Sequence, residues 1–355
     1  MTDTSPTVAG GYRLSDAATR FLDENGLTGA VLNALVADAS PRRYFRVAGR
    51  GVLLMDDRQD PAGFAAYLRI SRHLTGLGLS APRVLAVMPG ECLALIEDFG
   101  DDTYARCLAR GADEGALYKL AVDALLKLHR DPGGGRIARP AYDMDVHLDE
   151  LSIFSRWFAP AVSPGLDVNG FDVRFRALWR AALAPVAGRH DTLVLRDFHI
   201  DNLMLLGDRQ AEARCGLLDF QDAILGPCEY DLASLLQDAR RDLAEGLEAR
   251  LLRYYCDNAP AAQGGARAIR ERYHLLAAQR HARILGVFVR LCRRDAKPRY
   301  LAYLPRVLRQ FRTALADAGL GDVAAFLDQA LPGWVATAGA LHETLRPTTT
   351  GTSDD

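Results

Sequence analysis

The 355-residue sequence predicts an α+β fold with two lobes, a small antiparallel β lobe and a larger, mainly helical lobe. Short apolar runs separated by turn residues fill the first hundred positions, which is the pattern of strands and hairpins. After Gly100, apolar residues recur at helical spacing over longer segments. A chain of this length can build two lobes. We therefore place an N-terminal lobe at 11–100 and a C-terminal lobe at 101–346, between disordered ends at 1–10 and 347–355.

The N-terminal lobe is predicted to contain one helix before its sheet and a second helix inserted in it. Leu14, Phe21 and Leu22 fall on one helical face, and Gly26 closes that helix. The glycines at 49 and 51 flank a single residue between two apolar runs, which is typical of a hairpin turn. The predicted helices are 12–26 and 62–76, and the predicted strands are 31–36, 43–47, 51–55, 81–88 and 92–99.

The C-terminal lobe is predicted to be a series of helices interrupted by short apolar runs. The sequence Asp-Pro-Gly-Gly-Gly at 131–135 stops one of these helices. The predicted helices are 102–108, 114–130, 144–159, 171–187, 231–256, 265–292, 301–317 and one from the low 320s to 330, and the predicted short strands are 192–195, 203–206 and 216–220.

Composition excludes several classes of function. A formal net charge of −2 gives no general attraction to nucleic acid or to an anionic membrane. No apolar run reaches the roughly 18–20 residues that a membrane span needs. The first residues lack the apolar core of a secretory signal. The six cysteines form no CxxC pair, so we expect reduced thiols in a cytoplasmic protein.

A group of polar residues between two apolar runs, VLRDFHIDNLMLL at 194–206, carries the strongest chemical signal. Asp197 and Asn202 are five positions apart there, and Asp219 follows a further apolar run. In phosphoryl transfer, an aspartate accepts the proton of the substrate hydroxyl, while an asparagine and a second aspartate hold magnesium. Mg²⁺ prefers such oxygen ligands. Two polar hairpin turns without catalytic function are the alternative interpretation.

Two motifs identify a family resemblance. RDFHIDN and the later LLDFQD resemble the aminoglycoside-phosphotransferase-like branch of the protein-kinase-like superfamily. Further segments make the chain similar, over nearly its whole length, to the anomeric N-acetylmuramate/N-acetylglucosamine kinases of bacterial cell-wall recycling. These segments are SPRRYFRV at 40–47, LIEDFGDDTY at 95–104, LLDFQDAILGPCEYDLASLLQDA at 217–239 and the run from 280 to 306 with its KPRYL sequence.

The resemblance implies a protein-kinase-like two-lobed fold and a sugar kinase that uses ATP and Mg²⁺. It assigns Asp197 as catalytic base and Asn202 and Asp219 as magnesium ligands. The implied reaction is phosphorylation of the C1 hydroxyl of an amino sugar to the α-1-phosphate. That product would feed UDP-sugar synthesis and bypass the early de novo steps, which are the target of fosfomycin.

The sequence departs from the family pattern at the expected phosphate-binding site. The strand that normally supplies a lysine has Met55 near that position, and no lysine precedes Lys119. We expect arginines to replace it, because a guanidinium can bind phosphate oxygens in two places. The alternative is a basic sheet edge. The residues predicted to bind ATP are Ser40, Arg42, Arg43, Arg46 and Glu97.

Other polar residues are weaker candidates for the sugar site or for structural support. A basic segment, 280–299, alternates with apolar residues and could bind the lactyl carboxylate of N-acetylmuramate. The His-x-Asp spacing at 199–201 has no accompanying His/Cys cluster, so zinc is not favoured. The candidates for the sugar are His199, Asp201, Asp222, Arg280, Arg290 and Arg294. Arg196 is expected to link to neighbouring backbone or carboxylates, and Asp231 to cap a helix starting there. The resemblance implies a further role for Asp231, which is to support the loop that carries Asp197 from behind.

Two alternative functions remain open at this point. The first is a kinase of another small alcohol, such as an aminoglycoside, choline or homoserine. The second is a nucleotide-binding pseudokinase, suggested by the missing lysine. We expect the partners to be ATP and a small amino sugar, with no nucleic acid and no membrane, and we expect a monomer.

Overall fold

The computed structural model describes residues 8–9, 14–35 and 42–344. Ser40, the 347–355 tail and most of the 1–10 segment lie outside these ranges. Within that N-terminal segment, which is predicted to be disordered, Val8–Ala9 form a short strand. The chain forms two compact units, Met1–Ala138 with Leu195–Ala223, and Arg139–Val194 with Ile224–Asp355.

The first unit extends past the lobe boundary that we predict at residue 100. It also contains 101–138 and the segment with Asp197, Asn202 and Asp219. The reason is packing, because the first two helices after Gly100 contact the hairpin formed by residues 203–217. The structural division therefore does not follow chain order.

A six-stranded sheet forms most of the N-terminal lobe. The strand order is β1-β2-β3-β4-β6-β5, antiparallel except for the two-residue β1, which pairs parallel to β2. The two helices of the lobe have side-chain caps, Ser15 for α1 and Asp60 for α2. The strands are β1 Val8–Ala9, β2 Leu32–Ala34, β3 Arg43–Val47, β4 Val52–Asp56, β5 Val84–Met88 and β6 Leu93–Glu97, and the helices are α1 Asp16–Glu24 and α2 Pro61–Gly76.

The register of this sheet decides which side chains are buried. Phe45 lies opposite Leu54, and Leu54 lies opposite Leu95, so three buried side chains adjoin across β3, β4 and β6. Phe21 and Leu22 of α1 pack against the same core. Because strand side chains alternate between faces, the arginine and tyrosine neighbours of Phe45 point to the other side.

The rest of the first unit holds the polar segment of interest. Asp113 caps the second of its helices, accepting a hydrogen bond from Ala116 N at 2.8 Å. A short hairpin then follows later in the chain. The helices are α3 Tyr104–Ala109 and α4 Glu114–Arg130, and the hairpin strands are β8 Leu203–Leu205 and β9 Cys215–Leu217.

The second unit is mainly helical and includes one further strand pair, β7 with β10. A π-helical turn at Phe154–Phe158 joins two of its helices. Gly286 lies against that turn, where a Cβ atom would stand 2.5 Å from the backbone of Ile153. The elements are α5 Met144–Ile153, α6 Ala159–Val162, α7 Val168–Ala182, β7 Thr192–Val194, β10 Ile224–Gly226, α8 Glu229–Leu236, α9 Leu247–Asn258, α10 Gly265–Arg293, α11 Leu304–Asp317, α12 Gly321–Ala330 and α13 Trp334–Thr344.

Several predicted elements differ from the structure. The helix predicted at 144–159 is divided into α5 and α6 by the π-helical turn. The single helix predicted at 231–256 is two helices, α8 and α9, because α9 starts only after Gly246 in the left-handed region at φ +71°. The strand predicted at 216–220 ends at Leu217. No helix in the described ranges is both long and apolar enough to span a bilayer. The six cysteines all lie in those ranges, and none of them forms a disulfide there.

Candidate active site

The β8–β9 hairpin places Asn202 and Asp219 at the same end of two paired strands. Leu203 lies opposite Leu217 in the register, and Leu218 N continues the ladder by donating to Asn202 O at 3.0 Å. Asn202 immediately precedes β8, and Asp219 comes two residues after β9. The pairing therefore brings two side chains that are 17 positions apart to within contact distance.

The loop before β8 brings Asp197 to the same place. The Asn202 amide Nδ2 donates to the main-chain carbonyl of Asp197 at 3.0 Å, and it lies 3.5 Å from Asp219 Oδ2. The Asn202 main-chain N–H donates to His199 O at 2.9 Å, closing a tight turn. One asparagine thus links the backbone that carries Asp197 to the carboxylate of Asp219.

Two residues of this site have strained backbone. Arg196 has φ +71° and Asp219 has φ +57°, which is the left-handed region that side chains other than glycine rarely adopt. Each such residue costs on the order of 1–3 kcal/mol and persists where the surrounding structure holds it. One strained residue directly precedes Asp197 and the other is the second aspartate, so both aspartates are set by unusual backbone.

The electrostatics of Asp219 reflect its neighbours. Its side chain is open to solvent on one side, yet the protein packed around it raises the pKa of the carboxyl, mainly through desolvation. The hydrogen bond from Gln221 lowers this pKa, while the negative charge of Asp197 raises it further. Two carboxylates that repel one another form a site that favours a cation.

A chain of polar contacts runs from Asp219 into the sheet. The Gln221 amide Nε2 donates to Asp219 Oδ1 at 2.9 Å, and Gln221 Oε1 accepts from Arg42 Nη1 at 2.8 Å. Arg42 Nε donates to Asp57 Oδ2 at 2.8 Å. Arg42 and Asp57 are 5% and 1% exposed, so this is a buried ion pair. The Arg42 guanidinium also lies 5.4 Å from the centre of the Tyr67 ring.

Sequence reasoning missed Asp57 and Gln221. Gln221 is only two residues after Asp219, and Asp57 directly follows β4, so each lies next to a segment that carries a signal. Burial raises the pKa of Asp57, and Arg42 opposes that change. Burial lowers the pKa of Arg42, but Tyr44 and Asp57 outweigh it and raise the pKa overall.

The other predicted ATP-binding residues of the sheet lie elsewhere. Arg46 binds Asp98 at 2.6 Å and Asp101 at 2.9 Å, so its guanidinium is held at the end of β6. The Glu97 carboxylate accepts from Arg209 at 2.6 Å and from Arg83 at 3.1 Å. Burial raises the pKa of Glu97, but these arginines lower it overall. Arg43 is exposed, and Met55 is fully buried.

The sugar candidates of the first unit lie in the loop that contains Asp197 or just after Asp219. His199 is buried, and its Nε2 lies 3.3 Å from the Asn202 amide. Asp201 and Asp222 are exposed. His199 therefore supports the loop through Asn202, whereas the two aspartates are accessible to a ligand.

The remaining candidates belong to the second unit. Arg280 is buried, and its Nη1 donates to Gln237 O at 3.4 Å. Burial, followed by the charges of Arg294 and Arg283, lowers the pKa of Arg290. Arg294 is exposed and pairs with Asp295 at 2.7 Å.

The prediction that Asp231 caps a helix is wrong. Helix α8 begins at Glu229, so Asp231 is the third residue of its first turn and is buried. A carboxylate in the first turn still complements the helix dipole. Asp231 therefore lies inside the first turn of α8, and Cys228 occupies the cap position.

The side chains at this site fit one magnesium ion that is bound partly by the protein and partly by the phosphates of a substrate. Across the described ranges, no group of three or more His, Cys, Asp or Glu side chains could hold a metal alone. Mg²⁺ is commonly bound by one or two carboxylates together with substrate phosphates and water. Asp219 supplies a carboxylate beside a second negative charge. The Asn202 Nδ2 atom faces Asp197 O and Asp219, which leaves the amide oxygen as the Asn202 atom that would bind the ion. These residues are those that would hold the ion.

Comparisons with known proteins agree with this site. Residues 31–271 match the family model described as the APH phosphotransferase enzyme family. A Caulobacter vibrioides protein named N-acetylmuramate/N-acetylglucosamine kinase is 35% identical, with 89% of this chain and 96% of the relative covered. A Pseudomonas aeruginosa protein of the same name is 34% identical, with 82% and 87% covered. These names confirm the resemblance that the motifs indicate.

Solved structures show the same fold at low identity. A choline/ethanolamine kinase family protein from Mesorhizobium loti has a TM-score of 0.54 at 15% identity, with 93% of this chain and 98% of that chain covered. The aminoglycoside phosphotransferase APH(2'')-Ib, bound to ADP, also has a TM-score of 0.54 at 15% identity, with 86% and 99% covered. At this identity the likeness concerns the fold alone.

The antiparallel sheet, the helical lobe and the two loops with Asp197 and Asp219 define a kinase-like α+β phosphotransferase. This chain belongs to the APH phosphotransferase enzyme family. It is an enzyme that transfers a phosphoryl group to an alcohol group of its acceptor.

Proposed function

We propose that this protein is an ATP-dependent sugar kinase that phosphorylates the C1 hydroxyl of N-acetylmuramate and N-acetylglucosamine. The observation that carries this proposal is the meeting of Asp197, Asn202 and Asp219 at one end of the β8–β9 hairpin. The relatives named N-acetylmuramate/N-acetylglucosamine kinase, which match over most of the chain, support the choice of acceptor.

The proposed chemistry gives each residue one role. Asp197 accepts the proton of the sugar C1 hydroxyl, while the oxygen of that hydroxyl bonds to the γ-phosphorus of ATP. The bond between that phosphorus and the β–γ bridging oxygen breaks, and ADP leaves. Asn202 and Asp219 would hold Mg²⁺, which supplies charge neutralisation at the phosphates. The product is the sugar α-1-phosphate, which fits a role in peptidoglycan recycling that bypasses the fosfomycin-sensitive steps.

An ADP-release assay with several acceptors tests this proposal. We expect activity with N-acetylmuramate and N-acetylglucosamine, and little with glucosamine, kanamycin or choline. Phosphorus NMR of the product should place the phosphate on C1 in the α configuration. Activity only with a cationic acceptor would replace the proposal by an aminoglycoside- or choline-type kinase.

The same assay separates a pseudokinase from a kinase. The absence of a lysine near Met55 motivates that alternative. A pseudokinase would bind ATP without sugar-dependent ADP release. The proximity of Asp197, Asn202 and Asp219 favours the active enzyme.

A further inference from the structure

The sheet lacks a lysine where the phosphates of a nucleotide need positive charge. Met55 of β4 is fully buried in the sheet, and the first lysine in the sequence is Lys119. A triphosphate near Asp197 and Asp219 would add negative charge to a site that already holds two carboxylates. A cation that is fixed close to Asp219 would offset this repulsion.

Three arginines of the β3 segment differ in their connection to Asp219. Arg43 is exposed on the strand surface. Arg46 is held by Asp98, Asp101 and the carbonyl of Gly100, at the opposite end of the strand. Arg42 is joined to Asp219 through one intervening side chain, Gln221.

We propose that Arg42 supplies the positive charge for the nucleotide phosphates, and that Asp57 and Gln221 are positioning residues that hold its guanidinium beside Asp219. This inference rests on the proposed use of ATP as phosphoryl donor. It replaces the lysine of the family pattern by an arginine that directly precedes β3. It also assigns roles to two residues that the sequence motifs leave without one.

The contacts fix the guanidinium on several sides. Asp57 holds Nε at 2.8 Å, Gln221 holds Nη1 at 2.8 Å, and the Tyr67 ring lies 5.4 Å away. Tyr44 also hydrogen-bonds this guanidinium. A planar guanidinium held by three neighbours cannot rotate freely, so its other N–H groups keep one direction. Little side-chain entropy is then lost when a phosphate binds, which favours affinity.

Gln221 suits its place because its two ends differ. Its carbonyl oxygen accepts from Arg42, and its amide nitrogen donates to Asp219. A primary amide can accept from a guanidinium with its oxygen and donate to a carboxylate with its nitrogen at the same time. A glutamate at 221 could not donate to Asp219 and would add a third negative charge. A structural ion pair between Arg42 and Asp57 would not need this third link.

Binding of two probes tests the inference without any sugar. We would measure the affinities of the β,γ-imido analogue of ATP and of adenosine by calorimetry, each with and without Mg²⁺. Arg42→Met combined with Asp57→Asn removes both buried charges together, which avoids an unpaired carboxylate. We expect this variant to lose about 10- to 100-fold in affinity for the ATP analogue, because charge-assisted hydrogen bonds are lost. Its affinity for adenosine should not change.

Three further variants define the roles. Arg42→Lys keeps the charge and the Asp57 pair but loses the planar fork, so we expect a smaller loss for the ATP analogue. Gln221→Met should weaken the ATP analogue several-fold and leave adenosine binding intact. Arg50→Gln removes an exposed arginine from the β3–β4 turn and should match the wild type with both probes. Thermal unfolding of each variant checks folding.

The inference is overturned if Arg42→Lys and the double variant both keep the wild-type ratio of ATP-analogue to adenosine affinity. It is also overturned if the wild-type protein has no preference for the ATP analogue over adenosine. Failure of the proposed sugar kinase function gives a different result, namely normal ATP-analogue binding without sugar-dependent ADP release.

Discussion

Two carboxyl groups with raised pKa values, one in each compact unit, lie in opposite surroundings. In the second unit, Glu229 Oε1 accepts from Arg272 Nε at 3.0 Å, and Arg272 also donates to Gln263 O at 2.7 Å. Both partners of that pair lie on helices with ordinary backbone. In the first unit, Asp219 lies beside a second carboxylate and has φ +57°.

The pKa values of the two carboxyls change in the same direction for different reasons. Burial raises the pKa of Glu229, and Arg272 opposes that change. Burial also raises the pKa of Asp219, but there the charge of Asp197 adds to the rise. A perturbed pKa alone therefore does not distinguish the two sites. The like-charged neighbour and the strained backbone distinguish Asp219 from Glu229 and support the role proposed for Asp219.

The largest expected effect comes from removing the proposed catalytic base, which lies in the first unit. We predict that Asp197→Asn lowers kcat by on the order of 10²–10⁴ or more, because no carboxylate then accepts the hydroxyl proton. The melting temperature and ATP-analogue affinity should stay close to wild type. Steady-state ADP release measures the effect.

Asp208→Asn is the matched control for that substitution. It makes the same change at an exposed aspartate in the loop between β8 and β9. It should leave kcat unchanged. Near-wild-type turnover of Asp197→Asn would show that Asp197 is not the catalytic base.

The second prediction concerns the structural pair. Glu229→Ala leaves Arg272 buried without its carboxylate, and we expect a loss of about 3–5 kcal/mol in unfolding free energy. Chemical denaturation of this variant and of the wild type measures this loss. Replacing both residues, as Glu229→Leu with Arg272→Met, should recover a large part of it, because no uncompensated charge remains. Equal losses in the single and double variants would contradict this account of the pair.

Removing the Asp219 carboxylate should not lower the stability of the fold, unlike removing that of Glu229. The folded pKa of Asp219 is raised, so the stability contributed by its neutral form is present below the unfolded pKa and is lost as pH rises. At neutral pH the ionised carboxyl therefore disfavours the ligand-free fold. Asp219→Asn should unfold at the same temperature as wild type or slightly above it.

The cost of Asp219→Asn should emerge only with magnesium and nucleotide. At an ATP-analogue concentration of 100 times Kd, the wild type gains about 2.7 kcal/mol. We expect the variant to lose the part of this gain that depends on Mg²⁺. Thermal unfolding with Mg²⁺ and with EDTA measures that part. An equal magnesium-dependent gain in the variant would show that Asp219 is not a ligand.

The sequence predicted the local parts of the site better than its long-range contacts. The spacing of Asp197 and Asn202 is meaningful because both lie in one loop next to a strand. The Arg42 contacts join positions 15 and 179 residues apart, to Asp57 and Gln221 respectively. No local periodicity carries that information, since it depends on which strand ends meet after folding.

The helix prediction at 231–256 failed for a related reason. Apolar residues continue at helical spacing through both α8 and α9, so the pattern alone joins them. The interruption depends on Gln237, which binds Glu248 and the ring of His281, and on the left-handed Gly246. Tertiary hydrogen bonds of this kind override local helical preference.

The smallest expected effect concerns the pH dependence of the unfolding free energy. It is compared between the two units through one buried histidine in each. Burial lowers the pKa of His129 in α4 to about 3 and that of His147 in α5 to about 4. Glu150 and Asp143 partly oppose the change at His147. Each ring is therefore neutral in the fold but takes up a proton on unfolding below about pH 6.5.

The sign of the resulting pH dependence follows from these depressed values. The stability from each neutral histidine is present above the unfolded pKa and is lost as pH falls from about 6.5 toward 4 or 3. One proton per histidine gives a slope of up to about 1.4 kcal/mol per pH unit.

We would measure urea unfolding between pH 6.5 and 5.5, where most carboxyls remain ionised. His129→Gln and His147→Gln should each flatten the profile, while exposed His190→Gln should not. Because the slope is compared, a constant loss of stability in a variant does not affect the outcome. Parallel profiles for all four proteins would show that acid acts on other groups. A change confined to one variant would assign the acid sensitivity to the unit that contains it.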